Sequence, residues 1–539
     1  MNRPEIIPAA PPGKRPRDLR LDFFRGLAMF IILLAHTPQS TWLLWIPARF
    51  GFSDATEIFV FCSGMASSLA FGAVFLTKSW FLGTARIAFR VWQVYWAHIG
   101  VVLATVVLMI LLDRTGMGAE GKTYTEWPSI VRIFSHTQEW LLGLFTLTFV
   151  PGLMDILPMY LVILAMVPLV MLLYRLGGRP AAFGFVILLW VAAQLGGYAR
   201  LAEVIEAPTA FQSWLLTVSQ PFTVLNLPSS PWNDTRQWFF NPFGWQLVFF
   251  TGFAFGTGWL PAPPVRKWLV LIAAGYLALV VPFAWYKIHA DWGYLPEQSA
   301  LRLWIADMRD FIQPMWWKTG VGLLRYLHFL AIAYLAWVLV GDGGKRLRDG
   351  WDGVLRTTSS RVIICLAMAP VVLATVPYAY IEEIMTYLPT ANDWIEENYP
   401  LLDFKLFTLS QLVHLIAVLV FVWNAIGDRA RQWLLRDAFL AAVPVIRKVG
   451  TQSLAVFMVS IVLSRFNGWW LDVIGRDVWT RALVNLTGFA VLIATAYLVS
   501  WFKRQPWRDD KKRPAPVASP RPGSEVGRPS DHAKAAVRA

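Results

Sequence analysis

Arg25 and His36, eleven positions apart in one apolar stretch, are the first residues whose types and spacing could do chemistry. Eleven helical steps of ~100° return to nearly the same face, and at about 1.5 Å per residue the two lie roughly 16 Å apart along it. Asp22 shares that stripe, three residues before Arg25. A cation at one end of a helix and an imidazole near the other suit a long activated acyl donor. The cation would hold phosphates, and the imidazole would accept the proton of an attacking hydroxyl. The separation is comparable to the reach of a pantetheine arm. A plainer reading is also open: Asp22 and Arg25 cap and snorkel at an interface, and His36 bonds to a backbone carbonyl.

Other polar residues could join them. Asp54 and Glu57 open a second apolar run with the spacing of a capping box. Either carboxylate could instead orient the His36 imidazole and stabilise its charged form. Ser63 and Gly64, farther along, would let two helices approach closely or line a cavity. Arg325 and His328 are three apart, hence on one helical face, and could bind an acyl carboxylate or a sugar hydroxyl. Asn241 followed by Pro242 reads as an N-cap and first helical residue. Trp245 and Gln246 follow, where an aromatic face and an amide could meet a sugar. Gln246 or Arg325 could also stabilise an oxyanion. No Cys/His spacing suggests a metal, and no tightly bound cofactor is expected.

The elements that must position these groups follow from composition. Of 539 residues, 56% are hydrophobic and 15% charged. A soluble protein carries nearer ~25% charged residues, because its surface faces water. The chain is therefore expected to be an all-α, polytopic integral membrane helical bundle. Apolar runs of about 20 residues can cross a bilayer. Twelve candidates lie near 22–45, 55–77, 92–112, 157–175, 181–198, 242–260, 267–286, 320–340, 361–380, 404–426, 450–466 and 481–502. The ninth carries prolines and the eleventh is short, so about ten to twelve transmembrane helices are expected.

Placing the N-terminus in the cytosol and flipping sides at each run puts most of the 48 Lys and Arg on the inner side. That is the positive-inside bias, and it places both termini in the cytosol. The net charge of +14 is thus a topology signal and not a nucleic-acid footprint. Cys62 and Cys365 lie in apolar runs, which argues against a disulfide framework. Residues 1–20 read as a basic, Pro-rich cytosolic segment, 21–503 as the transmembrane domain and 504–539 as a disordered basic cytosolic tail. The stretch 296–317 has the mixed pattern of an interfacial helix.

The segments from Arg17 to Ala28, His36-Thr37-Pro38 and Phe50 to Phe61 resemble the OpgC family, membrane succinyltransferases of osmoregulated periplasmic glucans. The Arg25-to-His36 spacing is also similar to the first-helix signature of the wider acyltransferase-3 superfamily. The likeness continues at Asn241 to Gln246, at Leu324 to Ala331 and around Gly450 to Phe457. It implies an acyl-CoA co-substrate, succinyl-CoA or acetyl-CoA, on the cytosolic side and a periplasmic glucan or other polysaccharide as acceptor. It further implies a bacterial inner-membrane location, His36 as the catalytic histidine and Arg25 as an essential cation. The family usually has Asp immediately before the histidine and an aromatic after the Ser-Gly pair; here Ala35 and Met65 stand there. Two rival readings are a transporter of a glycan or anion and a catalytically inactive membrane scaffold of the same fold.

Overall fold

The computed structural model describes residues 18–200, 208–233, 235–290, 295, 298–351, 358–379 and 404–507. The Pro-rich segment before Asp18, the tail after Trp507 and the stretch 381–403 between the ninth and tenth expected runs lie outside the described residues.

Helices dominate, and the sole β feature among the described residues is one isolated bridge, Pro228 to Gln237. The long helices are α1 (Leu19–His36), α2 (Ala55–Ser67), α3 (Trp80–Arg114), α4 (Ile156–Ala199), α5 (Pro242–Thr257), α6 (Lys267–Ala284), α7 (Leu323–Val340), α8 (Thr358–Ala379), α9 (Phe404–Ala425), α10 (Phe439–Thr451), α11 (Ser453–Ile474) and α12 (Val478–Arg504). Each expected apolar run contains helix, with α2 running on through a π-helical turn to Thr77.

Among the described residues, seven helices are long and apolar enough to cross a membrane. Two others fall short for visible reasons: α1 carries Arg20, Asp22 and Arg25, and α5 has 16 residues. Large apolar side chains stay exposed along α6 and α4, such as Leu271 and Leu188. Lipid covers such surface in a membrane protein. Ala300–Phe311, followed by Gln313–Trp316, forms the short helix expected at an interface, and buries Arg302 and Ile305.

α4 is two arms. At about 1.5 Å per residue, 44 unbroken residues would measure roughly 66 Å, twice the hydrocarbon core. Gly177 and Gly178 leave helical geometry, and Gly178 takes φ 67°, a conformation that costs glycine little. The second arm folds back, so that Asp155 before the first arm and Arg200 after the second line one cavity. This matches the two runs expected at 157–175 and 181–198.

Close backbone contacts set the packing. A Cβ on Gly26 would fall 1.9 Å from the Ile446 carbonyl oxygen, and one on Gly450 would fall 1.8 Å from that of Asp22. No side chain fits there, so α1 and α10 cross backbone to backbone. Gly64 meets the Phe249 carbonyl and Gly252 that of Phe61 in the same way, which joins α2 to α5. Helices pack so in membranes, where small residues replace the hydrophobic driving force with close van der Waals contact. Ser63 is buried beside Gly64 in this crossing.

Candidate functional site

α1 and α11 lie side by side and run in the same direction. At their starts, Arg25 Nη2 donates to Ser453 Oγ at 2.6 Å. At their far ends, Pro38 packs on Gly468, and Arg465 acts electrostatically on His36. The pair of helices therefore holds the arginine and the histidine at opposite ends of one seam, as the spacing requires. Asp22 is fully buried near the Arg25 end, where its carbonyl meets Gly450.

His36 is the last residue of α1. Its Nδ1 lies 2.7 Å from the Ile32 carbonyl oxygen. A carbonyl only accepts, so Nδ1 carries the proton and the lone pair of the neutral ring sits on Nε2. No protein group among the described residues bonds to Nε2. That is the tautomer of a general base, with its basic nitrogen open. The backbone, not Asp54 or Glu57, fixes it.

Both of those carboxylates are committed elsewhere. Asp54 caps α2, accepting from Thr56 N at 2.6 Å, and Glu57 Oε2 accepts from Asp54 N at 2.8 Å. The capping box expected from the sequence is thus complete. Asp54 also takes a hydrogen bond from Lys318 Nζ, and Glu57 Oε1 accepts from Arg325 Nη1 at 2.6 Å. Burial would raise the Asp54 carboxyl, but Lys318 and Arg325 outweigh it and hold it well below the usual carboxylate range. Of the two carboxylates, Asp54 acts on His36, as a nearby charge.

Four expected contacts with substrate find their side chains engaged in the fold. Arg325 donates to Glu57 and, through Nε, to the Trp316 carbonyl at 3.2 Å. His328 Nδ1 accepts from Ser53 N at 3.3 Å and lies 2.7 Å from Ser53 Oγ. Gly51 lies against the Cε1–Nε2 edge of its ring, where any Cβ would clash at 2.2 Å. His328 is therefore a strut for the loop that delivers Asp54. Trp245 is wholly buried, with Nε1 donating to the Lys318 carbonyl at 3.0 Å, so no face is left for a sugar. Gln246 is likewise buried, and its amide donates to Val186 O at 2.8 Å. Asn241 caps α5 as expected, accepting from Phe243 N at 2.9 Å.

Two cations at the His36 end escaped the sequence reading. Lys318 precedes α7 in a loop, and only the fold brings it to Asp54. Arg465 lies on α11, inside an expected span. An ionisable residue in an apolar run is a functional signal, and that signal applied here as it did to Arg25. Arg465 stacks on Trp127, 4.4 Å from the ring centre. Among the described residues no carboxylate pairs with it, and its Nε is buried without a hydrogen bond. Trp127 comes from the loop after α3, which Tyr124 and Lys122 tie to Asp472 of α11 at 2.8 and 2.7 Å.

Two cavities open beside this end, sharing Arg200 and Thr319, the residue after Lys318. A third, of about 700 Å³, lies at the opposite end of the bundle and is lined by Lys448, Ser500, Trp501 and Arg504. Lys448 is two residues from Gly450, which packs against α1 beside Arg25. Among the described residues no group of His, Cys, Asp and Glu could hold a metal ion.

The architecture is that of a polytopic helical membrane protein, with half-buried Arg25 and His36 at opposite ends of one seam. The family model described as OpgC protein matches residues 17–358 and 353–504, and the chain belongs to that family. Membership points to a glucan-modifying, acyltransferase-like function. No curated protein and no solved structure matches the chain.

Proposed function

We propose that the protein is an O-acyltransferase of a bacterial inner membrane. It moves an acyl group, succinyl in the first instance, from cytosolic acyl-CoA to a hydroxyl of a periplasmic glucan. The observation that carries this reading is the His36 tautomer: Nδ1 is bound to the Ile32 carbonyl, Nε2 is left open, and the ring lies within electrostatic reach of Lys318 and Arg465. Nε2 takes the proton of the sugar hydroxyl as its oxygen attacks the thioester carbonyl. The C–S bond then breaks, and the imidazolium returns the proton to the CoA thiolate. The nearby cations stabilise the oxyanion that forms in between. Arg465, without a carboxylate among the described residues, also suits the free carboxylate of a succinyl group. This favours succinyl over acetyl.

The donor enters at the Arg25 end. Arg25 and the basic cavity lined by Lys448 and Arg504 offer cations to its phosphates. The test is transfer of label from succinyl-CoA or acetyl-CoA to a β-glucan by the purified protein and its His36→Ala variant. The reading requires transfer by the wild type and its loss in the variant; equal transfer by both refutes His36 as the base. A transporter would move glycan or anion without consuming acyl-CoA, which the same assay detects.

A further inference from the structure

A polar cavity of about 360 Å³ lies to one side of the His36 end. Its size is within the range of small-molecule sites, roughly 300–1,000 Å³. A turned-back segment builds one wall. Trp238 N donates to Leu227 O at 2.9 Å, Ser229 N to Arg236 O at 2.9 Å, and Val150 N to Ser229 O at 3.1 Å. Trp232 pins the same segment through Nε1 to Glu139 at 2.7 Å. The opposite wall is formed at the free ends of the two arms of α4, with Asp155 just before the first and Arg200 just after the second. Arg200 Nη2 closes the gap by donating to Thr235 O at 2.9 Å.

The lining has the chemistry of a saccharide seat. Arg236 and Gln237 present donors, and Asp155 is a carboxyl group 4% exposed. Trp238 is 5% exposed, and its indole N–H has no partner among the described residues. Phe239 is 48% exposed at the rim, an aromatic face left open next to polar groups. Lys318 sits 5.8 Å from the centre of that ring and also bonds to Asp54. The rim of the cavity therefore touches the same lysine that acts on His36.

We infer that this cavity seats a hexose unit of the acceptor chain, stacked on Phe239 and hydrogen-bonded by Arg236 and Gln237, so that a neighbouring unit reaches His36. The inference rests on the transferase reading for its purpose but not for its test. Binding of a β-linked gluco-oligosaccharide to the full-length protein in nanodiscs is measured directly by calorimetry, for the wild type, Phe239→Ala and Gln237→Ala. Phe239 is exposed, so its removal leaves the fold intact. Each variant is expected to weaken binding by about tenfold, the loss of one good contact. Acceptor KM in the transfer assay rises in step, while the KM for acyl-CoA stays constant.

Oligosaccharide binding that ignores both substitutions overturns the inference. So does displacement of the oligosaccharide by free succinate, which would make the cavity a carboxylate site. Binding that responds to both substitutions, in a protein that transfers no acyl group, keeps the saccharide seat and removes the transferase reading.

Discussion

Replacing Glu57 with Gln removes the carboxylate that neutralises Arg325 while keeping the shape of the side chain. Glu57 is fully buried and Arg325 is 9% exposed, at 2.6 Å. Removing one partner of such a pair leaves an uncompensated charge, at about 3–5 kcal/mol. Gln retains one acceptor oxygen, so the bond to Asp54 N can persist and the loss is mainly that of charge. Arg325→Met strands the carboxylate at similar cost. Combining both substitutions leaves no buried charge, so the double variant should be destabilised by less than the sum, with a coupling of roughly 0.5–3 kcal/mol. The assay is thermal unfolding in detergent across the four proteins, where each single variant should fall by about 3–5 °C, given the large unfolding entropy of a chain this long. Additive effects, or single losses below about 1 kcal/mol, would refute the claim that this pair anchors α2 to α7.

Gly26→Ala and Gly450→Ala each drive a methyl group into a carbonyl oxygen at 1.9 and 1.8 Å. Each should cost at least ~1–3 kcal/mol and reduce monodisperse yield on size-exclusion chromatography. Arg465→Gln should raise the KM for succinyl-CoA by about tenfold or more, the worth of a charged hydrogen bond, and leave that for acetyl-CoA unchanged; parallel kinetics on both donors check it. Burial pushes the Asp155 carboxyl up to about 7, against the pull of Arg236. A raised carboxyl binds its proton more tightly when folded, so its contribution to stability is complete below ~4 and lost as pH rises through about 7. Melting temperature of the wild type should therefore fall between pH 5 and 8 relative to Asp155→Asn, and parallel curves would contradict this.

Much of the bundle was legible because lipid imposes one strong rule: every spanning backbone group bonds within its own helix. Apolar runs therefore marked the helices, down to the fold-back at Gly177 and Gly178. The Asp54–Glu57 capping box was legible for the same reason, being local. The Arg25–His36 seam was legible because one helix carries both. What depended on pairing between distant segments was not. Trp245 and Gln246 looked available for a sugar, but they start a helix whose first turn is clamped by the Lys318 carbonyl and Val186. Arg325 looked free for an anion, and Glu57 claims it. Lys318 gave no local sign, since its position depends on how the loop before α7 meets α2. The cavity under Phe239 requires four separate segments and has no signature in any one of them.

Transfer across the bilayer is tested by separating donor and acceptor with a membrane. The protein is reconstituted in one orientation into sealed vesicles, with labelled succinyl-CoA on the Arg25 side alone and β-glucan on the His36 side alone. Label should appear on the glucan and free CoA on the donor side, and neither product should form with His36→Ala. Transfer only when donor and acceptor share one side, or transfer undiminished in His36→Ala, would contradict this.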